Sequence, residues 1–254
     1  MVIAFSGGVD STYLLASARR YLGENVMAVT AVSALQPRSE INEAVKLVQH
    51  LGVDHHTVPT KELEVPEFRA NNAHRCYTCK RIIFSEVLAL ADRYGFDAVA
   101  HGVNVDDLGD YRPGLKAADE MGVVAPLMAA HLTKADVRKL SRQMGLPNWD
   151  KPAAACLASR IPYGRPITVD ALEMVESAEN VLAALGFHGF RVRHFGDTAK
   201  IEVRPADFSR LLKPDRRLRI IEEFRRIGFV YIAMDLEGYQ TGRLNRSVSQ
   251  DSVT

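Results

Sequence analysis

The chain has 254 residues, with 32 Lys+Arg against 31 Asp+Glu and a formal net charge of +1. Its 47% hydrophobic and 25% charged residues are typical of a globular protein with one large or two ordinary domains and exclude wholesale disorder. A charge this close to zero argues against a general polyanion binder, so nucleic acid is not an expected partner. Every apolar run is shorter than the ~20 residues of a membrane span, and the start MVIAFSGGVD lacks a signal peptide's basic region. We therefore expect a cytoplasmic protein.

Short apolar runs alternate with helical patterns through the first half of the chain. The patterns predict strands at 2–5, 26–32, 56–58 and 98–103, and helices at 11–21, 40–51 and 80–94. Strands that alternate with helices of this length form a parallel sheet covered on both faces. We therefore predict an α/β fold with a doubly wound parallel sheet.

The pattern changes after about Thr133 and predicts a smaller α+β domain. Helices are predicted at 134–144, 169–185 and 215–227, an antiparallel hairpin at 190–195 and 200–203, and a last strand at 230–236. Two prolines and a glycine at 162–166 break any regular element. We place the first domain at 1–162, a domain for substrate binding or oligomerisation at 163–246, and a polar tail at 247–254.

A glycine loop, Ser6-Gly7-Gly8-Val9-Asp10-Ser11-Thr12, lies between the first predicted strand and helix. Glycines let the backbone approach an anion closely, and the N–H groups of a helix N-terminus favour negative charge. The hydroxyl side chains add donors. The loop has neither the lysine of a Walker-A motif nor a G-x-G-x-x-G pattern. Its composition alone is equally compatible with a capped helix after a tight turn.

The three cysteines are a C-x-x-C pair, Cys76 and Cys79, and a distant Cys156. An odd number without an export signal favours a reducing compartment and thiolate chemistry. A thioredoxin-type pair is disfavoured, because we expect the pair in a polar loop before the helix that begins at Lys80. Zinc with His74 or His101 as a further ligand, or three unrelated thiols, are alternatives. Three thiolates brought together would instead suit a [4Fe–4S] cluster with one iron left open.

Polar residues follow the fourth predicted strand at its carboxyl end, where open α/β sheets bind ligands. Gly102 would permit close approach of a nucleotide, and Asn104, Asp106 and Asp107 offer polar contacts. An Asx-rich turn is the alternative. The segment continues to three further candidates for closing over the site, Asp110, Tyr111 and Arg112.

Three arginines are the remaining candidates for binding the substrate. Arg160, four residues after Cys156, would favour a thiolate and could bind a reacting carboxylate. Arg191 and Arg193 share one face of a predicted strand, so they either clamp a substrate 5′-phosphate or lie on a solvated face.

Other charged helix residues are predicted to be solvated. The basic helix at 215–227 has a core stripe of Leu218, Ile221, Phe224 and Ile227, which favours a solvated basic face over a nucleic-acid site. Glu179 and Asp207 are interpreted as surface-helix residues.

Five motifs, in order along nearly the whole chain, resemble those of the LarE family. They are SGGVDST, RCYTCK, HGVNVDDLGDYRPG, ACLASRIPYG and GYQTG. The first is similar to the PP-loop of the N-type ATP pyrophosphatases, which grips the pyrophosphate released when ATP adenylates a substrate. LarE proteins are ATP-dependent sulfur transferases. They convert the carboxylates of pyridinium-3,5-biscarboxylic acid mononucleotide to thiocarboxylates for the nickel-pincer nucleotide cofactor of lactate racemase.

The resemblance implies an ATP site and a magnesium site. Asp10 would hold Mg2+, with Asp107 as a second ligand, and the adenine base would rest near the exit of the second strand. The implied ATP-binding residues are Ser6, Gly7, Gly8, Val9, Asp10, Ser11, Thr12, Ala31, Ser33, Gly102 and Asn104.

The resemblance also implies a sulfur-transfer site at Cys76, Cys79, Cys156 and Arg160. One branch of the family sacrifices a single cysteine at the position of Cys156, which leaves dehydroalanine. The other branch has three cysteines that hold a [4Fe–4S] cluster whose open iron carries a sulfide. With all three cysteines, this sequence resembles the cluster branch.

The implied partners are the pyridinium mononucleotide, sulfide or another sulfur donor, and further copies of the chain in a hexamer.

The sequence departs from the family's common G-Y-R-x-G-S at Gln240 and Arg243. Relatives usually carry a short helix before the first strand, so we expect the natural start to lie upstream. A PP-loop tRNA thiolase, an ammonia-using PP-loop synthetase or amidotransferase, and a nucleotide-binding regulator are the alternatives.

Overall fold

The computed structural model describes residues 1–109 and 113–240, which form two compact units. The first unit comprises Met1–Val65 and His74–Ala155, and the second comprises Pro66–Ala73 and the chain from Cys156 onward. The segment Pro66–Ala73 therefore belongs to the second unit, although its neighbours in sequence belong to the first. The predicted domain boundary at 162/163 stays a prediction.

The secondary structure follows the predicted order. The strands are β1 (Val2–Ala4), β2 (Met27–Val32), β3 (Asp54–Pro59), β4 (Val99–His101), β5 (Arg191–His194), β6 (Thr198–Glu202) and β7 (Tyr231–Met234). The α-helices are α1 (Val9–Leu22), α2 (Arg38–Leu51), α3 (Pro66–Arg69), α4 (Arg75–Arg93), α5 (Pro113–Glu120), α6 (Pro126–Ala129), α7 (Lys134–Gln143), α8 (Val169–Ala184), α9 (Phe208–Leu211) and α10 (Pro214–Ile227). Within the described residues, no helix is long and apolar enough to cross a membrane.

A parallel four-stranded sheet in the order β3-β2-β1-β4 organises the first unit. Ile3 and its register partners Ala28 and Ala100 are fully buried in a core with α1 and α2. Val2 and its partner Met27 are buried on the other side with residues of α4. The predicted doubly wound sheet is thus confirmed. The strand order reverses between β1 and β4, and ligands bind at the carboxyl ends of strands at such a switch point.

Helix α4 begins earlier than the sequence predicted. Its first residue is Arg75, and the amides of Tyr77 and Thr78 both donate to the carbonyl of His74. Cys79 therefore lies within the first helical turns and not in a loop before Lys80. The apolar stripe of this helix starts only at Ile82, so its first two turns carry no periodic signal. The short helices α3, α5, α6 and α9 were also not predicted.

The second unit contains the three-stranded sheet β5-β6-β7. The predicted hairpin is confirmed, with β5 and β6 antiparallel, and β7 adds in parallel to β6. The predicted stripe of α10 is wrong at Leu218, which is 53% exposed, whereas Ile220 and Phe224 are buried. The i, i+4 spacing of Ile220 and Phe224 is the one that faces the core.

Asn71 ties the segment Pro66–Ala73 into the second unit. Its side chain is fully buried, and its Nδ2 donates to the carbonyls of Ile161, Pro162 and Arg165 at 3.2, 2.8 and 2.9 Å. Its own carbonyl accepts from the Gly164 amide at 3.0 Å. The residue adopts φ 54°, in the left-handed region that asparagine tolerates better than most residues.

Candidate active site

The glycine loop is ordered by hydrogen bonds between its own residues. Ser11 Oγ and Thr12 Oγ1 both donate to the Gly8 carbonyl, at 3.1 and 2.9 Å, and Ser6 Oγ lies 3.2 Å from Ser11 Oγ. Gly8 is the N-cap of α1 and no side chain caps that terminus. The first amides of the helix therefore lack intrahelical acceptors, and they carry the partial positive charge that binds anions.

Gly7 requires glycine for two reasons. Its φ is +71°, and a Cβ built on it would lie 3.0 Å from Ala44 Cβ and 3.1 Å from Ala44 Cα on α2. A side chain here would be strained in conformation and would also clash with the neighbouring helix. The loop is consequently pressed against α2 with no room for a larger residue.

Asp10 is the acidic residue of the first turn of α1 and has two partners. Its Oδ1 accepts from Asn104 Nδ2 at 3.1 Å, and its Oδ2 is paired with Lys134 Nζ. The loop after β1, the turn after β4 and the start of α7 thus meet at one carboxylate. Lys134 was missed by sequence reasoning, because nothing in its local pattern distinguishes it from a surface lysine at a helix start.

The turn after β4 is held by its own Asx contacts. Asp107 Oδ2 accepts from the Asn104 amide and Asn104 Oδ1 from the Asp106 amide, both at 3.0 Å. Asp106 Oδ2 in turn accepts from the Lys134 amide at 2.9 Å. The carboxylate of Asp107 therefore has a structural partner, and its role as a second magnesium ligand stays a prediction.

Gly102 contacts protein backbone in the structure. A Cβ at this position would lie 2.7 Å from the Ser11 amide nitrogen and 2.9 Å from the carbonyl carbon of Asp10. Glycine is required here because the exit of β4 passes directly over the first turn of α1. The predicted contact of Gly102 with a nucleotide stays a prediction.

The two residues proposed to approach the adenine base lie at the end of β2. Ala31 pairs in register with Val58, and Ser33 follows the last strand residue. Ser33 makes local hydrogen bonds: its amide donates to Gln36 Oε1 at 3.0 Å, and its Oγ accepts from the Leu35 amide at 3.3 Å. Both positions are at the carboxyl edge of the sheet, as predicted from the strand pattern.

All three cysteines are thiols in the structure. Cys76 and Cys79 are three residues apart at the start of α4, a spacing that puts two side chains on one helix face. Cys79 Sγ donates to Glu62 Oε1 at 3.9 Å. Cys156 is exposed and belongs to the second unit. Among the described residues, no three His, Cys, Asp or Glu side chains form a metal-binding group.

Arg160 is buried in the second unit and paired with Glu179. Its Nε and NH2 donate to the two carboxylate oxygens at 3.0 and 2.8 Å, and NH1 donates to the Cys156 carbonyl at 3.1 Å. Glu179 Oε1 also accepts from the Val192 amide at 3.1 Å. The interpretation of Glu179 as a surface residue is therefore wrong. It is also wrong for Asp207, which is 7% exposed.

The two arginines of β5 have different environments. Arg193 donates from Nε and NH2 to Glu202 Oε2 at 3.1 and 2.9 Å and from NH1 to the Ser159 carbonyl at 2.7 Å. Arg191 donates to the Phe190 carbonyl and lies 5.1 Å from the ring centroid of Tyr239. Burial, followed by the nearby Arg160 charge, lowers the pKa of Arg191. Arg191 is thus the arginine with more donors left for a ligand.

Four of the predicted residues lie outside the described part of the chain. They are Asp110, Tyr111, Arg112 and Arg243. Gln240, the last described residue, is exposed.

The doubly wound sheet and the uncapped glycine loop at its switch point define an adenine-nucleotide-binding domain of the PP-loop ATP pyrophosphatase type. The profile of the asparagine synthase family matches residues 1–105. That match covers the glycine loop, the pair Cys76 and Cys79, and Asn104.

Relatives match nearly the whole chain. It is 36% identical over 251 residues, 98% of this chain and 90% of the relative, to the pyridinium-3,5-bisthiocarboxylic acid mononucleotide synthase of Lactiplantibacillus plantarum. It is 42% identical over 249 residues (98% and 93%) to an uncharacterized protein of Synechocystis sp.. An uncharacterized protein of Methanocaldococcus jannaschii is 27% identical over 241 residues (95% and 91%). The chain therefore belongs to the LarE family, which confirms the resemblance of the five motifs.

Proposed function

We propose that the protein is an ATP-dependent sulfur transferase that converts the carboxylates of pyridinium-3,5-biscarboxylic acid mononucleotide to thiocarboxylates. Its product would be the bisthiocarboxylic acid mononucleotide from which the nickel-pincer nucleotide cofactor is made. The observation that carries the proposal is the 36% identity, over 98% of the chain, to the synthase of Lactiplantibacillus plantarum. The glycine loop and the Asp10 carboxylate supply the chemistry for the ATP-dependent step.

The first step is adenylation of a substrate carboxylate. A carboxylate oxygen attacks the α-phosphorus of ATP, and pyrophosphate leaves. The uncapped amides of α1 would hold the pyrophosphate, whose charge they stabilise without reorganisation. Asp10 would hold a Mg2+, because Mg2+ takes one or two carboxylates together with phosphate oxygens and water, and the ion would supply positive charge to the phosphates. Lys134, which Mg2+ would replace at Asp10, is then available to a phosphate oxygen.

The second step is sulfur transfer. Sulfide attacks the carbonyl carbon of the acyl adenylate, the bond from that carbon to the AMP oxygen breaks, and a thiocarboxylate and AMP are formed. Adenylation is needed because a carboxylate oxygen is a poor leaving group and AMP is a good one. A second round at the other carboxylate completes the product.

The three cysteines would hold the sulfur source. Thiolates are the ligands of [4Fe–4S] clusters, so the donor chemistry of Cys76, Cys79 and Cys156 fits such a group. A cluster held by these three residues would supply the sulfide for the second step. The alternative within the same family is that Cys156 itself gives up its sulfur. Its exposure is compatible with either use.

Arg191 would hold the substrate. Guanidinium groups bind phosphate through paired N–H donors, and Arg191 has donors beyond its one backbone contact. Arg193 remains a weaker candidate, since Nε, NH1 and NH2 already donate to protein acceptors. The hexameric assembly and the physiological sulfur donor also stay predictions.

The test is turnover by the anaerobically purified protein, before and after reconstitution with iron and sulfide. With MgATP, the pyridinium mononucleotide and sulfide, we expect AMP, pyrophosphate and products in which sulfur replaces one and then two oxygens. Asp10→Asn should abolish AMP formation. Absence of substrate-dependent AMP and pyrophosphate from the wild-type protein would contradict the proposal.

The same preparations separate the two sulfur sources. A cluster predicts a broad absorption at ~400 nm and about four irons per chain, both lost in Cys156→Ala. A sacrificial cysteine predicts a colourless protein and a loss of mass at Cys156 after one turnover.

A further inference from the structure

The peptide between Gly7 and Gly8 is held from outside the loop by one side chain, that of Asn148. Asn148 follows α7 in the first unit and is 8% exposed. Its Nδ2 donates to the Gly7 carbonyl at 3.1 Å and to Thr12 Oγ1 at 2.9 Å. One buried amide thus fixes both the glycine pair and the first turn of α1.

The orientation of this peptide decides what the loop presents to an anion. In a trans peptide the carbonyl of one residue and the N–H of the next point in opposite directions. Because the Gly7 carbonyl points to Asn148, the Gly8 N–H is directed away from it. A flip of the peptide would place the Gly7 carbonyl oxygen where the Gly8 N–H now is. A group that attracts an anion would then be replaced by one that repels it.

A glycine pair is where such a flip meets least resistance. The flip changes ψ of Gly7 and φ of Gly8, and glycine populates positive and negative φ about equally. Ala44 packs against Gly7 and so restricts the position of the loop, but this contact does not select one orientation of the peptide. Two hydrogen bonds oppose the flip. Asn148 Nδ2 donates to the Gly7 carbonyl at 3.1 Å, and the Gly8 N–H donates to Ser6 Oγ at 3.4 Å. The bond from Asn148 is the shorter of the two.

We propose that Asn148 is a positioning residue of the pyrophosphate site. It holds the Gly7–Gly8 peptide so that the Gly8 N–H points away from Asn148 and can exchange its 3.4 Å contact with Ser6 Oγ for a hydrogen bond to the leaving pyrophosphate. The inference rests on the proposed function, since it assumes that the loop binds pyrophosphate. Asn148 does not touch the phosphates; it acts through the backbone of Gly7. The buried Oδ1 of Asn148 has no hydrogen-bond partner among the described residues, an arrangement that fold stability alone disfavours.

The test compares binding of magnesium pyrophosphate and of AMP, measured by calorimetry on the full chain. Asn148→Leu keeps the branching of the side chain at Cγ and removes the donor. We expect its affinity for magnesium pyrophosphate to fall about 10-fold, as for loss of one hydrogen bond to a charged group, with the affinity for AMP unchanged. Val137→Ala, which truncates a fully buried residue of α7, is the matched control: its melting temperature should fall while the ratio of the two affinities stays at the wild-type value.

Either of two results would overturn the inference. One is a wild-type ratio of the two affinities in Asn148→Leu, whether neither affinity falls or both fall equally. The other is the same change of ratio in Val137→Ala. Failure of the proposed function would give a different result from failure of this inference. In that case the wild-type protein itself would bind neither magnesium pyrophosphate nor AMP.

Discussion

Lys134 and Asp10 are 124 positions apart in sequence, yet the ammonium group of Lys134 is paired with the carboxylate of Asp10 at the start of α1. The lysine is the first residue of α7, and its backbone is fixed by the bond from its amide to Asp106 and by the capping box of Thr133 and Asp136. Only the flexible stem of the side chain can move. The pair therefore places a cation on a flexible stem beside the glycine loop that we propose binds the triphosphate.

Lys134→Met should weaken use of MgATP, because the variant has one cation fewer for the phosphate oxygens. We expect kcat/KM for ATP to fall about 10-fold or more, the cost of one charge-assisted hydrogen bond. Lys134→Arg should recover part of the loss. This kcat/KM is obtained from the rate of AMP formation at varied ATP concentration. Lys139→Met, on an exposed part of α7, removes the same charge and should behave as wild type; equal losses in the two methionine variants would contradict the assignment.

Gly102→Ala should impair folding and ATP binding together. The added methyl group would lie 2.7 Å from the Ser11 nitrogen, and backbone atoms cannot move aside as a side chain can. A Cβ at Gly8 would meet only Ser6 Oγ, at 3.4 Å, so Gly8→Ala is the steric control for stability. Thermal unfolding should show a lower melting temperature for Gly102→Ala than for Gly8→Ala. A wild-type melting temperature for Gly102→Ala would show that β4 does not pass as closely over α1.

Breaking the ion pair between Arg160 and Glu179 should destabilise the second unit. The side chains are 4% and 13% exposed, so Glu179→Ala leaves a guanidinium in the interior without its counter-ion. We expect a loss of about 3 kcal/mol in the free energy of unfolding. In a double-mutant cycle with Arg160→Met, the double variant should lose less than the sum of the single losses. Additive losses in urea unfolding would show that the pair is not coupled.

Substitution of Arg191 should weaken substrate binding, whereas substitution of Arg193 should lower stability. Arg191→Met should raise KM for the mononucleotide and change the melting temperature little. Arg193→Met should lower the melting temperature, because it leaves the buried Glu202 carboxylate without its principal partner. Steady-state kinetics and thermal unfolding of both variants check this contrast. The reverse assignment would follow if Arg193→Met alone raised KM.

The stability of the first unit should fall as the pH is lowered. Burial, followed by the Lys80 charge, lowers the pKa of His101 from 6.5 to about 4. Between these values the unfolded chain binds a proton that the folded chain does not, so stability is complete above pH 6.5 and is lost as the pH falls toward 4. His101 should contribute a loss of about 1 kcal/mol between pH 6.5 and 5.5. Urea unfolding at the two pH values should show a smaller difference for His101→Gln than for wild type.

The sequence predicted the features that depend on local patterns. Alternating apolar runs predicted the parallel sheet, and the glycine loop was found because its residues are contiguous. Lys134 and Asn148 were missed because their partners are 124 and 141 positions away, and no periodic pattern reports such a pairing. The start of α4 was missed because its first turns have no apolar stripe. Glu179 was misassigned because helical spacing alone does not show that a buried arginine faces it.

The path of the chain between the two units bears on how the protein can be divided. The backbone passes from one unit to the other near residues 65, 73 and 155, and Asn71 hydrogen-bonds three carbonyls that come more than 80 positions later. A fragment ending at residue 155 would carry Pro66–Ala73 without the carbonyls that its asparagine needs, and a fragment starting at 156 would lack the asparagine. The units are therefore not transferable modules. A chimaera between family members should exchange Pro66–Ala73 together with the chain from Cys156 onward.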